Sequence, residues 1–163
     1  MDAQPDVSEV RPPTIDDIRR ICRALDEAGA HYVLIGGFAV ILHGGLRTTK
    51  DIDLLVDPEP ANVERLKRAL SVLEDDAARE IEAGDLQKYT VVRVADEVLI
   101  DLLAAACGVT WSEARTSALR MDLDGTPVIV ADVETLIRTK MTIRPSDAAD
   151  RAWLESLRKG GSQ

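Results

Sequence analysis

The sequence predicts an α/β (α+β) fold in which helices flank a mixed β-sheet. Short apolar runs, such as residues 32–35, alternate with longer segments whose apolar residues recur every three or four positions. Clusters of Gly, Pro and Asp separate these segments, as is typical of turns. With 163 residues, 45% of them hydrophobic and 30% charged, the chain is long enough for one core. We therefore expect a single domain at residues 14–158, between a flexible lead-in at 1–13 and a disordered tail at 159–163.

The first half of the chain predicts two strands interleaved with helices. Thr14 and Asp17 have the spacing of a capping box, so a helix should begin there, and Gly29 should end it. The elements that follow are a buried strand at 31–35, a short helix at 36–43 closed by Gly44 and Gly45, a strand at 50–56, an amphipathic helix around 63–73, and an acidic helix and loop at 74–85.

The second half predicts two β-hairpins, each followed by helix. The first hairpin turns at Ala95 and Asp96, and the second turns at Asp124 and Gly125. The predicted strands are 88–94, 97–103, 119–123 and 127–130, and the predicted helices are 111–117, 132–143 (capped by Asp132 and broken by Pro145) and 146–157.

The stretch from Gly36 to Asp53 combines a glycine pair with two closely spaced carboxylates. Successive side chains of a strand point to opposite faces, so Asp51 and Asp53 should share a face. Two neighbouring carboxylates repel each other unless a cation lies between them. Gly36 and Gly37 come just before a predicted helix, where backbone N–H groups can bind an anion. The stretch therefore predicts a site for a metal ion and a phosphate group.

Asp101 is the candidate for a third carboxylate at this site. It is a lone acidic residue in the otherwise apolar run 98–103, and burial of an unpaired charge is costly. If that strand lies beside the strand at 50–56, Asp101 can face the same cleft. Three carboxylates could hold two divalent ions about 3.5–4 Å apart, the spacing of two-metal phosphoryl-transfer sites. Asp101 would then be either a metal ligand or the general base that takes the acceptor's proton.

Lys140 is the candidate counter-charge. It follows Leu136 and Ile137 at helical spacing and should therefore lie on or beside the apolar face of the helix at 132–143. Arg144 comes one turn later. Two ion pairs, Lys140 with Asp150 or Arg144 with Asp147, could lock the last two helices against the sheet.

Net charge limits the partners. The chain carries −9 at pH 7, whereas proteins that depend on phosphate contacts are usually basic, so nonspecific nucleic-acid binding is disfavoured. A local basic patch could still hold a nucleotide or one RNA end. The residues of that patch are Arg47, Lys50, Lys140 and Arg144.

The remaining composition favours a cytoplasmic protein. No apolar run reaches the roughly 18 residues of a membrane span, and the acidic start lacks the basic and apolar blocks of a signal peptide. Cys22 and Cys107 both lie in apolar settings, which favours free, buried thiols.

The motifs resemble those of a known family. A glycine pair, then Asp-x-Asp on a strand, then Asp on a later strand is similar to the nucleotidyltransferase superfamily with the polymerase-beta-like fold. More narrowly, residues 47–54 and 140–150 resemble the abortive-infection AbiEii-type nucleotidyltransferases, which are associated with bacterial toxin–antitoxin systems. The resemblance extends from about Thr14 to Leu157.

The resemblance implies transfer of a nucleoside monophosphate from an NTP to an acceptor, an RNA end such as that of tRNA or a protein, with release of pyrophosphate. It implies that Gly36 and Gly37 contact the triphosphate. It also implies Asp51, Asp53 and Asp101 as the carboxylates that bind Mg²⁺ or Mn²⁺, and a Lys140 that meets phosphate charge. A cognate antitoxin would be a further partner.

Two other functions remain open at this point. A small-molecule nucleotidyltransferase of the same fold would modify an antibiotic, and an acidic pocket would suit a cationic drug. A non-catalytic nucleotide-binding protein of the same fold would act through a partner, although the complete set of Asp51, Asp53 and Asp101 argues against that alternative.

Overall fold

The computed structural model describes residues 10–160 and contains a six-stranded mixed sheet with helices packed around it. The helices are α1 (Ile15–Glu27), α2 (Gly36–Leu42), α3 (Pro60–Leu70), α4 (Asp85–Lys88), α5 (Trp111–Ala114), α6 (Val133–Thr139) and α7 (Pro145–Gly160), with a 3₁₀ turn at Ala77–Glu80. The strands are β1 (Tyr32–Ile35), β2 (Asp51–Val56), β3 (Val91–Ala95), β4 (Leu99–Leu103), β5 (Ala105–Ala106), β6 (Val109–Thr110), β7 (Leu119–Leu123) and β8 (Thr126–Val130). The predicted fold class is confirmed.

The sheet has the strand order β3-β4-β2-β1-β8-β7. Strands β1 and β2 are antiparallel, whereas β2 pairs with β4, and β1 with β8, in parallel. The hairpins β3–β4 and β7–β8 form the two outer pairs of the sheet, while β5 and β6 form a separate two-stranded ribbon. Strand β4 therefore lies directly beside β2, the arrangement that a shared carboxylate site requires.

Aliphatic side chains build the core. Helix α1 packs against α3 and β8, and α2 lies against β1, β2 and α6. In the central strands Ile52, Leu54, Ile100 and Leu102 are fully or almost fully buried. These four residues alternate with the acidic positions of β2 and β4, so an apolar core on one face of the sheet fixes the acidic residues on the other.

The predicted start of the first helix is confirmed. Thr14 Oγ1 accepts a hydrogen bond from the backbone N–H of Asp17 at 3.3 Å, and the Asp17 carboxylate accepts one from the Thr14 N–H at 2.7 Å. Arg11 also pairs with Asp17, at 2.6 Å, and this hydrogen bond contributes most to a pKa of about 2 for Asp17. Residues 1–9 of the predicted lead-in and 161–163 of the predicted tail lie outside the described residues, whereas 159 and 160 of that tail are the last residues of α7.

The first hairpin differs from its prediction. Residues 85–88 are helical, and β3 and β4 are joined by the three residues 96–98. The buried Asp96 explains the longer loop, because its carboxylate accepts hydrogen bonds from the backbone N–H groups of Asp75, Ala77 and Glu97 at 2.7–2.9 Å. The resulting register places Arg93 opposite Asp101, whereas a two-residue turn at 95–96 would place it opposite Val98.

The helix predicted over 132–143 ends at Thr139, so Lys140 is its C-cap residue rather than part of its apolar face. The end is stabilised by Arg151 of α7, which donates hydrogen bonds to the backbone carbonyls of Lys140 and Thr142. The expectation of two buried thiols is half right. Cys22 is buried, but Cys107 is exposed in the turn between β5 and β6.

Candidate active site

The three predicted carboxylates meet on one face of the sheet. Asp53 lies directly opposite Asp101 in the parallel β2–β4 pair, and Asp51 is two residues before Asp53 on the same face. One carboxylate oxygen from each residue lies within 4.8 Å of the other two. Carboxylate oxygens are the ligands that Mg²⁺ and Mn²⁺ prefer, so this donor set fits a hard divalent cation.

The electrostatics of this acidic cluster indicate a shortage of positive charge. Burial, and then the negative charges of Asp51 and Asp101, raise the pKa of Asp53 to about 7. Burial and the charge of Asp101 also raise the pKa of Asp51. Within residues 10–160, the Asp53 carboxylate has no hydrogen bond or ion pair. A cation bound between these carboxylates would remove that imbalance.

Arg93 of β3 is a member of the site that the sequence did not reveal. Its guanidinium holds Asp101 through two hydrogen bonds, Nε to Oδ1 at 2.8 Å and Nη2 to Oδ2 at 3.0 Å. The same Nη2 lies 3.5 Å from Asp51 Oδ2. The sequence alone could pair Arg93 with Asp101 only if the length of the loop between β3 and β4, three residues, were already known.

The glycine pair brings the start of α2 against the acidic cluster. Gly36 has φ +74°, and a Cβ atom there would lie 2.2 Å from Asp53 Oδ2. A Cβ on Gly37 would lie 2.7 Å from Thr49 Oγ1. Ile35, the N-cap residue of α2, provides no side-chain hydrogen bond to the first turn. The absence of side chains therefore lets backbone and carboxylate approach closely, beside first-turn N–H groups that no N-cap side chain covers.

The opposite wall of the site is an ion-pair network at the junction of α6 and α7. Lys140 is 5% exposed, and its Nζ lies 3.0 Å from Asp150 Oδ2 and 3.8 Å from Asp147 Oδ1. Arg144 Nε pairs with Asp147 Oδ2 at 2.9 Å, and Arg47 pairs with Asp150. Both ion pairs that the sequence suggested are therefore present. The contact of Arg47 with Asp150 links positions 103 apart in the chain and was not predicted.

The acidic cluster and the ion-pair network enclose one cleft of about 440 Å³. Its walls include all the predicted site residues except one: Gly36, Gly37, Arg47, Asp51, Asp53, Asp101, Lys140 and Arg144. Lys50 is exposed and lies outside this lining. Arg93 and Cys107 also line the cleft, although neither was predicted to.

The fold has known relatives among solved structures. A crystal structure of a Thermotoga maritima protein, provisionally assigned as a nucleotidyltransferase, is 14% identical in sequence and superposes with a TM-score of 0.56, covering 94% of this chain and 95% of the other. At that identity the match concerns the fold alone. No curated protein matches the sequence.

The fold and the acidic cluster define a nucleotidyltransferase-type α/β domain. A family model described as "Nucleotidyl transferase AbiEii toxin, Type IV TA system" matches residues 19–153. The chain therefore belongs to the AbiEii nucleotidyltransferase family, as its motifs predicted. Among residues 10–160, every helix is too short or too polar to cross a lipid bilayer.

Proposed function

We propose that the protein is a metal-dependent nucleotidyltransferase that transfers a nucleoside monophosphate from an NTP to an RNA end, such as that of tRNA, or to a protein, with release of pyrophosphate. The observation that carries this proposal is the acidic cluster of Asp51, Asp53 and Asp101, which faces a cleft beside the glycine turn. The family membership supports the reaction class.

The three carboxylates would hold Mg²⁺ or Mn²⁺. When bound, such a cation neutralises charge on the transferring phosphoryl group and polarises its oxygens. Gly36 and Gly37 present backbone at the start of α2, where the triphosphate would bind. Arg47, Arg144 and Lys140 would add positive charge from the other wall, although each is already paired with Asp147 or Asp150. Lys50 would act only from outside the cleft.

Asp101 can serve as the proton acceptor for the attacking hydroxyl. It lies directly opposite Asp53 in the β2–β4 pair, so a hydroxyl held beside the metal site would be within reach of its carboxylate. In this arrangement the acceptor oxygen bonds to the α-phosphorus, its proton moves to the carboxylate, and the bond to pyrophosphate breaks. Positioning and charge supply most of the catalysis, as is general for phosphoryl transfer.

One observation favours a small-molecule acceptor as the second candidate. The chain carries a net charge of −9, and three carboxylates form the floor of the cleft, so a cationic antibiotic would be attracted more strongly than a polyanion.

For the proposed RNA or protein acceptor, we expect a cognate antitoxin as a partner, since the matching family is a type IV toxin–antitoxin family. We expect the proposed reaction to take place in the cytoplasm, where NTP is available.

The experiment that tests the proposed function supplies each α-³²P-labelled NTP with Mg²⁺ or Mn²⁺ to the protein, together with total RNA, cell lysate or a panel of aminoglycosides and lincosamides. Label on RNA or protein supports the proposal, and label on a drug supports the second candidate. The Asp51→Asn/Asp53→Asn double variant should lose the label. Asp124→Asn, an exposed position with φ +50° that Asn tolerates, is the matched control. The absence of label in all three fractions would contradict both functions.

A further inference from the structure

Arg93 spans two of the three carboxylates of the acidic cluster. Its guanidinium donates hydrogen bonds to both carboxylate oxygens of Asp101, from Nε at 2.8 Å and from Nη2 at 3.0 Å, a two-pronged contact called the fork below. The same Nη2 lies 3.5 Å from Asp51 Oδ2. Such bidentate pairs are among the stronger side-chain contacts and fix the carboxylate in one orientation. Arg93 has no ion pair to any other group within residues 10–160. Its guanidinium therefore satisfies the carboxylates that a divalent cation would have to bind.

The two partners differ in exposure in a way that permits exchange. The side chain of Arg93 is 47% exposed at the edge of the cleft, whereas that of Asp101 is 12% exposed and lies in the central part of the sheet. The arginine can rotate into solvent at little cost in hydration, but the carboxylate cannot. A competing cation would therefore displace the arginine and leave Asp101 in place.

We propose that Arg93 is an internal counter-cation, which holds Asp101 and Asp51 in the metal-free protein and competes with the divalent cation for them. The proposal rests on the proposed metal site and goes beyond it, because it assigns a positioning role to a residue of β3. Its consequence is a site that binds metal weakly without nucleotide, since the metal must displace the guanidinium as it binds.

The test measures Mn²⁺ affinity of the full chain without nucleotide, by the loss of the free Mn²⁺ signal in electron paramagnetic resonance. Arg93→Gln removes the competing charge, and Arg93→Lys keeps a charge but loses the fork. Arg144→Gln is the matched control. Arg144 also lines the cleft and acts through space on the charges of Asp51 and Asp53, but it pairs with Asp147.

Arg93→Gln should bind Mn²⁺ about three- to tenfold more tightly than the wild type, a range set by a partly exposed charge-assisted pair. Arg144→Gln removes a charge that acts on the acidic cluster only through space, so its gain in affinity should be smaller than that of Arg93→Gln. Arg93→Lys should fall between the wild type and Arg93→Gln. In ¹⁵N-arginine spectra of the wild type, Mg²⁺ should abolish the slow solvent exchange of the Arg93 Nε–H. This second measurement remains informative if Arg93→Gln fails to fold.

Equal or weaker Mn²⁺ binding by Arg93→Gln would overturn the proposal, and so would an equal gain in Arg144→Gln, which would indicate a general charge effect. Solvent exchange of the Arg93 Nε–H that does not change when Mg²⁺ is added would also overturn the proposal. The proposed function fails differently. If Arg93→Gln binds Mn²⁺ more tightly but the wild type transfers no labelled nucleotide, the role of Arg93 as a competing cation is supported and the proposed transfer reaction is contradicted.

Discussion

The two walls of the cleft contain similar numbers of charged groups but balance them differently. The helical wall matches Lys140, Arg47 and Arg144 with Asp147 and Asp150, and its buried charges all have partners. The sheet wall has three carboxylates, and among residues 10–160 only the half-exposed Arg93 pairs with them, leaving Asp53 without a partner. The charges of the helical wall are therefore paired within that wall, whereas the sheet wall keeps an excess of negative charge.

This contrast separates structural from functional charge. A satisfied buried network orients its members and stabilises the junction of two helices. A buried cluster of like charges costs stability in the folded protein, and that cost is recovered only when a ligand of opposite charge binds. By this criterion we expect Asp51, Asp53 and Asp101 to form the chemical centre and Lys140 with Asp150 to support it.

The largest effect should come from the sheet wall. Asp53→Ala should reduce nucleotidyl transfer by about three orders of magnitude or more, because it removes a carboxylate that no neighbour can replace. Its unfolding midpoint should be no lower than that of the wild type at pH 8. A labelled-NTP assay and urea unfolding measure the two properties. A folded Asp53→Ala protein that retains turnover would refute the proposed role of this carboxylate.

The helical wall should respond with stability instead. Lys140→Met leaves Asp147 and Asp150 buried beside one fewer cation, so we expect a loss of about 3–5 kcal/mol in the free energy of unfolding. Arg158→Met is the control on α7, since its pair with Glu134 is exposed to solvent and should contribute little to the free energy of unfolding. Equal losses in the two variants would remove the distinction between the walls.

The pH dependence of stability should locate the surplus charge at Asp53. Its pKa is raised from 3.8 to about 7 in the folded protein, so the folded state keeps a proton that the unfolded chain loses between these values. The protonated folded state is therefore favoured at low pH, and this stabilisation is lost as pH rises through that window. In EDTA, the free energy of unfolding of Asp53→Asn should be higher than that of the wild type by roughly 2–4 kcal/mol at pH 8 and by less at pH 5.5. If the free energies of unfolding of the wild type and Asp53→Asn change with pH in the same way, the raised pKa of Asp53 would be contradicted.

The smallest effect should distinguish close packing from backbone strain. Gly36 and Gly29 both have positive φ, +74° and +67°, but only a Cβ at Gly36 would meet Asp53, at 2.2 Å from Oδ2. Gly29→Ala should cost about 1–2 kcal/mol from its backbone alone. Gly36→Ala should cost about 1–2 kcal/mol more and should also weaken Mn²⁺ binding. Identical losses would mean that the contact with Asp53 contributes nothing.

Much of this site could be predicted because the chemistry is local. The period of two in a strand places Asp51 and Asp53 on one face, and the isolated charge of Asp101 in an apolar run indicates a partner nearby. The Lys140–Asp150 and Arg144–Asp147 pairs were likewise suggested by spacing within two adjacent helices. The predicted helix over 132–143 was too long, because the hydrogen bonds from Arg151 that end it come from α7.

The missed contacts depend on structure that spacing does not encode. Arg93 meets Asp101 only because Asp96 binds the backbone at 75–77 and sets a three-residue loop. Arg47 meets Asp150 across 103 positions of chain. Long-range contacts of single side chains follow from the tertiary fold, so no periodic pattern in the sequence predicts them.

The most direct test of the central claim is a calorimetric titration with a non-hydrolysable α,β-methylene NTP, repeated in Mg²⁺ and in EDTA. If the acidic cluster needs a divalent cation to hold a triphosphate, the wild type should bind at least tenfold more tightly in Mg²⁺. The Asp51→Asn/Asp53→Asn variant should lose that difference. Equal nucleotide affinity in Mg²⁺ and EDTA, or a Mg²⁺ effect that survives in the double variant, would contradict the account.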